Sequence, residues 1–166
     1  MKTTNKFVLF YGQSEFYSNW NNSSFWFRGL HFDNGEQFMM FRKAMLFGDI
    51  DMAWKILAQP DPAKVKQLGR EVKGFVEKVW VETRQRLVRE GLLEKARQHP
   101  KDRAMLLATG NRTLAEASRS DIIWGIGLGE DDPRALDPKK WRGLNELGEG
   151  WMWVREQLRA ELAPAQ

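Results

Sequence analysis

An acid and an amine share one face of a predicted helix, and this pair is where chemistry is first expected. The segment from Glu36 to Gly48 has no proline or internal glycine, so it predicts three helical turns that end at a glycine. Glu36, Met40, Lys43 and Phe47 fall on one stripe, with the carboxylate and the amine about 10 Å apart along the axis. The rest of the circumference is mostly apolar, which predicts a buried helix.

Such a pair on a buried helix has two interpretations. In the first, the two groups line a pocket, and we favour this one. In the second, Glu36 only complements the helix dipole in the first turn while Lys43 extends to water. This helix alone does not decide between them, because ion-pair networks also produce such pairs.

Composition narrows the class of protein. A chain of 166 residues fits one domain with a real hydrophobic core. The absence of cysteine excludes disulfides and thiolate chemistry and favours a reducing compartment. No apolar run is long enough for a membrane span, so we expect a cytoplasmic protein. The net charge of +4 comes from dispersed basic residues, which permits an anionic partner without indicating nucleic-acid binding.

The sequence predicts neither a metal nor a cofactor. His31 and His99 are too few and too far apart for a histidine-based metal site, and no Ser/His/Asp set stands out. Eight Trp and ten Phe are many for this length, and they indicate either an aromatic core or rings that stack on a planar ligand. The oligomeric state is left open.

Hydrophobic patterning predicts an α+β fold that is mostly helical. Residues 7–11 and 25–32 read as two short strands, and the Glu36 helix follows them. Asp49 and Asp61 are placed to cap helices over 49–57 and 62–69. Further helices are expected over 75–98 and 103–108, whereas 113–117 fits helix or strand and 129–143 is a polar connection. A last helix presents an apolar face made of Leu147, Trp151, Val154 and Leu158.

Two segments of this pattern carry possible ligand contacts. The apolar face of the predicted 75–98 helix comprises Val76, Val79, Trp80, Thr83 and Leu87. Arg84 follows Trp80 by one turn, so a ring and a guanidinium lie side by side at the edge of that face. In residues 118–129, glycines alternate with apolar residues, so the backbone could approach a ligand or make tight turns. This segment lacks both standard phosphate-loop patterns.

Several motifs occur in the order and spacing of one family. They are Glu36-Gln37-Phe38 followed by Lys43-Ala44, Trp80…Arg84, Leu106-Leu107-Ala108-Thr109-Gly110, Glu116-Ala117-Ser118 before Asp121, Trp124-Gly125-Ile126-Gly127, Asn145…Leu147-Gly148, and Met152…Val154-Arg155…Leu158. By these motifs the chain resembles the NADAR family, which includes the YbiA-like N-glycosidases, from about residue 7 to 160. Any one motif is weak, but the ordered set is specific.

The resemblance implies a single compact domain over residues 1–166, mostly helical with a small β component. It also implies hydrolysis of an N-glycosidic bond between ribose and a base or amino-pyrimidine. Two substrate classes are associated with such proteins: phosphoribosylamino-pyrimidine intermediates of riboflavin synthesis, and ADP-ribose attached to guanine in nucleic acid. In YbiA-like members, the residues that match Glu36, Trp80 and Asp121 are linked to activity, and a lysine that matches Lys43 lies in the same pocket.

The chain departs from the YbiA-like pattern after Trp124-Gly125. An aspartate often follows there, and a short glycine-rich loop leads quickly to the asparagine. Here Ile126 takes that place, and the insert from Glu130 to Arg142 is longer. Because this loop is expected to form part of the substrate pocket, the departure weakens the riboflavin-intermediate assignment and leaves the N-glycosidase assignment intact.

Breaking a C–N glycosidic bond requires a proton donor for the base and a negative or nucleophilic group near the anomeric carbon. We expect Glu36 to be the acid/base, since burial raises the pKa of a carboxyl towards the working range. Lys43 could bind phosphate or a base oxygen, or its amine could attack the sugar C1 to form an imine. Asp121 would polarise a water or bond the ribose hydroxyls; the alternative is an ordinary cap or turn residue.

The remaining candidates are substrate-binding. Trp80 and Trp124 would stack on the base or form a wall of the pocket, and Arg84 would clamp phosphate. The hydrogen-bonding rim is predicted from Asn19, Gly125, Gly127 and Asn145.

The resemblance therefore implies an N-glycosidase, and we expect it to remove ADP-ribose from guanine in nucleic acid. The alternative substrates are small ribosyl nucleotides, the phosphoribosylamino-pyrimidine intermediates of riboflavin biosynthesis, as in YbiA-like members. A non-catalytic module that binds ADP-ribose or a nucleotide is the alternative of another class. Glu36, Lys43 and Asp121 together argue against that module, since a pure binding protein needs no acid facing the anomeric centre.

Overall fold

The structure, a computed structural model, describes residues 1–163. Helices dominate and strands are few, which confirms the predicted α+β class. In chain order the elements are β1 (Lys2–Thr3), β2 (Phe7–Phe10), β3 (Phe25–Phe27), β4 (Leu30–Phe32), α1 (Gly35–Leu46), α2 (Ile50–Leu57), α3 (Pro62–Arg70), α4 (Glu77–Gln98), α5 (Pro100–Ala108), β5 (Thr113–Glu116) and α6 (Glu146–Leu162).

These elements form two compact units. One consists of Met1–Ser18 together with His99–Gln166, and the other of Asn19–Gln98. The extent of the predicted domain, 1–166 with a core of about 7–160, stays a prediction, and its last three residues lie outside the described chain. Each unit carries some of the predicted site residues.

In the 19–98 unit, α1 is the central helix and packs against α2, α3 and α4. Its residues from Gly35 to Phe41 and Ala44 are buried. Met45 and Leu46 in the last turn are exposed, so the prediction of a helix buried all round is wrong for that turn. Gly48 then turns the chain with a φ of 73°.

Side-chain caps fix where the helices of this unit begin. The Asp49 carboxylate accepts from the Met52 amide at the start of α2, and Asp61 accepts from Ala63 and Lys64 at the start of α3. Pro62 takes the first position of α3, where its missing N–H has no intrahelical partner to lose. The predicted starts of both helices are confirmed.

The predicted strand 25–32 is a hairpin, which corrects the sequence interpretation. β3 and β4 pair antiparallel, with Phe27 opposite Leu30 and only two residues between the strands. Arg28 and Gly29 both have positive φ, as a type I′ turn requires. Gly29 in the second loop position was the available signal, but the aromatic residues on both sides made the segment resemble one strand.

The buried face of α4 also differs from the prediction. Trp80 and Leu87 are buried as expected, but Val76 and Val79 are 51% and 39% exposed. Arg84 is 5% exposed, and the buried face continues through Gly91. At Gly91 the ring of Phe38 approaches to 2.4 Å from where a Cβ would lie, so α1 sets which face of α4 is covered.

The other unit is built on a three-stranded sheet in the order β1-β2-β5. β2 is buried along its whole length and pairs parallel to β5, which settles 113–117 as strand rather than helix. The predicted apolar face of α6 is confirmed, since Leu147, Trp151, Val154 and Leu158 are all buried. The 129–143 connection holds two short 3₁₀ turns, at Pro133–Leu136 and Pro138–Lys140.

Candidate active site

The Glu36 carboxyl group is buried in the first turn of α1 and is 3% exposed. Its Oε2 accepts a hydrogen bond of 3.2 Å from the indole Nε1 of Trp20. Its backbone amide donates to the carbonyl of Asn19 at 2.8 Å. The segment Asn19-Trp20 therefore holds Glu36 by both main chain and side chain, which fixes the direction of the carboxylate.

The opposite side of this helix end is anchored by two buried amides. Asn34 caps α1 by accepting from the Gln37 amide, and its own side chain donates to the Pro60 carbonyl at 3.0 Å. The Gln37 side chain donates to carbonyls at the end of α2 and just after it, including that of Gln59 at 2.9 Å. These bonds leave the first turn of α1 little freedom to rotate, which helps Glu36 keep its direction.

Two turns further along α1, the Lys43 amine donates to the carbonyl of Gly69 at 2.6 Å. It lies 4.2 Å from the ring centre of Phe75 and 5.9 Å from that of Trp80. No carboxylate lies within ion-pair distance of it in the part of the chain that the structure describes. Burial lowers the pKa of the Lys43 amine below its ordinary value of 10.5. The amine is thus held by a carbonyl and two aromatic rings.

The remaining candidates of this unit are all buried. Trp80 is 8% exposed, and its ring lies beside the Lys43 amine. Arg84 lies one turn further along α4 and is 5% exposed. Asn19 is 5% exposed, and its side-chain Oδ1 lies 2.6 Å from where a Cβ of Gly35 would stand. Asn19 therefore packs against the start of α1. Its predicted contact with substrate stays a prediction.

Asp121 lies in the other unit, in the loop after β5. Its Oδ1 accepts from the amides of Ile123 and Trp124 at 2.9 and 2.8 Å, and its own amide donates to Ser118 Oγ. This is the turn-capping geometry that the sequence left open as the alternative role. The same contacts bring Asp121 and Trp124 together, and both are half-buried. The catalytic role of Asp121 stays a prediction.

Asn145 holds β5 in place. It is fully buried in a left-handed conformation with φ of 57°, its Oδ1 accepts from the Glu116 amide, and its Nδ2 donates to the Leu114 carbonyl. Its backbone amide donates to the carbonyl of Gly125 at 3.1 Å. These contacts give Asn145 a structural role, and its predicted place on a hydrogen-bonding rim stays a prediction.

The two predicted glycines are buried where backbone segments approach closely. A Cβ on Gly125 would lie 2.9 Å from the Asp121 carbonyl oxygen, and one on Gly127 would lie 2.8 Å from the Cβ of Arg142. Gly127 also has a φ of 68°, which favours glycine. Glycine at both positions is explained by packing, so their predicted contact with substrate has no separate support.

Ile126 and the longer insert belong to one packed cluster. Ile126 is fully buried with Phe7 and Leu9 of β2 and with Ala135 from the insert, and Trp141 covers the cluster. The indole of Trp141 donates to the Ala135 carbonyl at 2.9 Å, which closes the insert upon itself. The apolar residue at position 126 is therefore part of the core, and the insert that follows it covers that core.

Sequence reasoning missed three groups that contact the predicted catalytic residues. Trp20 bonds Glu36, while the Gly69 carbonyl and the Phe75 ring hold the Lys43 amine. Phe75 was assigned to the long helix, but α4 begins only at Glu77, which leaves this ring in the preceding loop. None of the three could be found from spacing, since each contact joins segments far apart in sequence.

Within residues 1–163, no group of three or more histidine, cysteine, aspartate or glutamate residues is arranged to hold a metal ion. Over the same residues, none of the helices combines the length and the apolar character that crossing a bilayer requires.

Comparison with known proteins identifies the family. The model of the NADAR domain matches residues 2–159, which include parts of both units. The chain belongs to the NADAR family. N-glycosidase R617 of Acanthamoeba polyphaga mimivirus is 38% identical over 165 residues, which cover 93% of this chain and 97% of that protein.

Two further NADAR-like comparisons bear on fold and substrate. The NMR structure of Escherichia coli YbiA matches with a TM-score of 0.80 and 26% identity, over 99% of this chain and 92% of that one. The riboflavin biosynthesis protein VVA0006 of Vibrio vulnificus is 34% identical over 122 residues, which cover 74% of this chain and 30% of that protein. The predicted family and the YbiA-like fold are confirmed.

Proposed function

We propose that this chain hydrolyses the N-glycosidic bond that joins ADP-ribose to guanine in nucleic acid. Its assignment to the hydrolases of N-glycosyl compounds rests on membership of the NADAR family and on relatives that are named N-glycosidases. The observation that carries the proposal is the buried Glu36 carboxylate, which Trp20 orients at one oxygen.

Glu36 acts as the acid/base. When the C–N bond breaks, the base departs with the bonding electrons and must be protonated, and the sugar C1 must receive a water oxygen. A carboxyl group in a fixed direction can give the proton to the base and later take one from water. Asp121, with Oδ1 engaged by backbone amides, is assigned to the ribose hydroxyls or to the attacking water.

Lys43 is assigned to the sugar side of the same helix face. Two turns of α1 separate it from Glu36, about 10 Å along the axis. Because burial lowers the pKa of the amine, more of it is neutral near pH 8 than in an exposed lysine. A neutral amine can attack C1 as a nucleophile, and a charged one can bind a phosphate or hydroxyl oxygen.

Ile126 weakens the case for the riboflavin intermediates as substrates. Its side chain is buried among apolar residues, so the chain has no carboxylate where YbiA-like members often have one. The name of VVA0006 favours the second candidate, hydrolysis of a phosphoribosylamino-pyrimidine. The two candidates share the leaving-group chemistry assigned to Glu36 and differ in what the pocket must accommodate.

Release of base and sugar tests the reaction and its substrate together. Wild-type protein and Glu36→Gln are incubated separately with ADP-ribosyl-guanine DNA and with the ribosylamino-pyrimidine, and released base and sugar are measured by mass spectrometry. We expect release from the DNA by wild type and a loss of about 10³-fold or more in Glu36→Gln, since glutamine cannot exchange a proton. Glu82→Gln, which changes an exposed glutamate of α4, is the matched control and should keep full activity.

Each alternative has its own result. Release from the pyrimidine alone would make this a metabolite N-glycosidase. Binding of ADP-ribose with no release from either substrate would favour the binding module. An active Glu36→Gln with unchanged circular dichroism would end the assignment of Glu36.

A further inference from the structure

Helix α3 runs beside the face of α1 that carries Glu36 and Lys43. At one end, Lys66 lies with its amine 5.9 Å from the ring centre of Trp20, the residue that bonds Glu36. One turn later, the Gly69 carbonyl accepts from the Lys43 amine. α3 therefore follows the catalytic face from the carboxylate to the amine.

The charge of α3 is entirely positive. Residues 62–70 contain Lys64, Lys66 and Arg70 and no acid, and the preceding Asp61 is engaged with the first amides of the helix. Lys66 and Arg70 are four residues apart and share a face, whereas Lys64 lies on a different one. Arg70 is exposed and has no ion-pair partner in the described part of the chain.

We propose that Lys66 and Arg70 form an anion subsite that binds the phosphate groups of the substrate. The inference rests on the proposed function, because it takes the face with Glu36 and Lys43 as the place where the ribose is cleaved. A ribose held at Glu36 places its phosphate away from the anomeric carbon, and the Lys66 amine lies 5.9 Å from the ring centre of the indole that bonds the carboxylate. Two cations one turn apart match a diphosphate better than a single phosphate.

The subsite gives Trp20 a second task. Its N–H holds the acid that acts on the glycosidic bond, while its ring carries the ammonium that would hold the phosphate. Cleavage and phosphate recognition are then joined through one side chain. A substrate without phosphate would reach the same acid with no anchor at the other end.

Binding measurements test the subsite without requiring catalysis. Wild type, the double variant Lys66→Ala/Arg70→Ala and the control Lys64→Ala are titrated calorimetrically with ADP-ribose, inorganic pyrophosphate and adenosine. We expect the double variant to bind ADP-ribose and pyrophosphate about tenfold or more weakly, with adenosine unaffected, since charge-assisted contacts are lost. Lys64→Ala should bind all three as wild type does. Wild-type affinity should fall with salt more steeply than that of the double variant.

Two further measurements identify which phosphate groups use the subsite and whether the subsite or the proposed function is wrong. A single-stranded DNA oligomer without ADP-ribose reports whether backbone phosphates also use the subsite. Where turnover is measured, the double variant should have a higher KM than wild type and an unchanged kcat. The conservative variant Lys66→Arg, which keeps the positive charge, should bind ADP-ribose as wild type does. Equal ADP-ribose binding by the double variant, or no competition between pyrophosphate and ADP-ribose on wild type, would overturn the subsite. Absence of base release with intact phosphate binding would instead count against the proposed function alone.

Discussion

Lys43 shows how a single residue can be prepared for more than one role. Its amine is held by the Gly69 carbonyl and by the rings of Phe75 and Trp80, with desolvation lowering its pKa. Carbonyl and ring contacts stabilise the charged amine less than a carboxylate would, so the neutral form remains accessible. The structure therefore suits both a nucleophile and a binding cation, and the two can be separated experimentally.

We predict that Lys43→Arg lowers kcat by about two orders of magnitude or more. Arginine keeps the positive charge and can still bind oxygen, but it does not form an imine with C1. In wild type, borohydride added during turnover should reduce the imine and leave a covalent sugar adduct on Lys43 that mass spectrometry detects. A variant with nearly normal kcat, or no adduct in wild type, would make Lys43 a binding residue.

The buried Tyr17 phenol should make the protein less stable at high pH. Its ring is 1% exposed among Phe10, Phe16 and Trp151, and burial raises the pKa of its phenol to about 12. Between about pH 10 and 12 the unfolded chain loses this proton while the folded chain keeps it. The free energy of unfolding therefore falls as pH rises, by roughly 2–3 kcal/mol across the window.

Tyr17→Phe should remove that part of the decline, because the ring remains and the titrating group does not. Urea unfolding at pH 9 and pH 11.5 measures it, with Tyr11→Phe at an exposed position as the control. If the wild type and Tyr17→Phe lose the same stability between these pH values, Tyr17 does not ionise differently in the two states.

At the level of elements, the α1–α3 contact is set by one glycine. A Cβ on Gly69 would lie 2.0 Å from Met40 Sδ and 2.7 Å from its Cγ. Gly69→Ala should reduce the free energy of unfolding by roughly 1–3 kcal/mol, since the Met40 side chain or α3 must shift. Turnover should fall as well wherever α3 shifts, because the Gly69 carbonyl holds Lys43. Gln67→Ala, at an exposed position on the same helix, should change neither.

A double-mutant cycle with Met40→Ala identifies the cause. The double variant should be less destabilised than the sum of the two single variants, because the shorter side chain makes room for the new methyl group. Additive effects would show that Gly69 matters for another reason, such as its backbone conformation.

Local signals predicted most of the helices but not which face each one buries. The caps at Asp49 and Asp61 involve contacts within three residues, so the sequence contains them completely. The face of α4 depends on what packs against it: Phe38 meets Gly91, and Arg84 is buried although its spacing from Trp80 placed it at the edge of the apolar face. Tertiary packing therefore determines which face of α4 is buried, and the hydrophobic periodicity of the sequence does not show it.

The candidate site divides in the same way. The Glu36 and Lys43 stripe follows from helix geometry, and it was predicted from the sequence. Trp20, the Gly69 carbonyl and Phe75 join it through contacts between segments, which spacing within one segment cannot reveal. Asn145 was predicted as a rim residue from its motif position, which could not reveal that its side-chain amide also bonds the backbone of β5 at Leu114 and Glu116.

On the scale of the whole molecule, the predicted residues are divided between the two units. Glu36, Lys43 and Trp80 belong to the continuous stretch Asn19–Gln98, while Asp121 and Trp124 belong to the unit that the chain leaves after Ser18 and rejoins at His99. The family match spans both stretches. Variants of the predicted residues in either unit can therefore be measured in the same assay of base release. The free energy of unfolding of each variant is then measured separately.

The parallel pairing of β2 with β5 has a consequence for synthesis on the ribosome. Phe7 to Phe10 are apolar and buried in the finished sheet, yet their partner strand begins only at Thr113. At translation rates of about 5–20 residues per second, roughly a hundred residues take on the order of 5–20 s to add. During that interval the Asn19–Gln98 stretch is completed, while β2 waits as a short apolar segment that chaperones can recognise. The pace of elongation across this stretch therefore sets how long the nascent chain is exposed to aggregation.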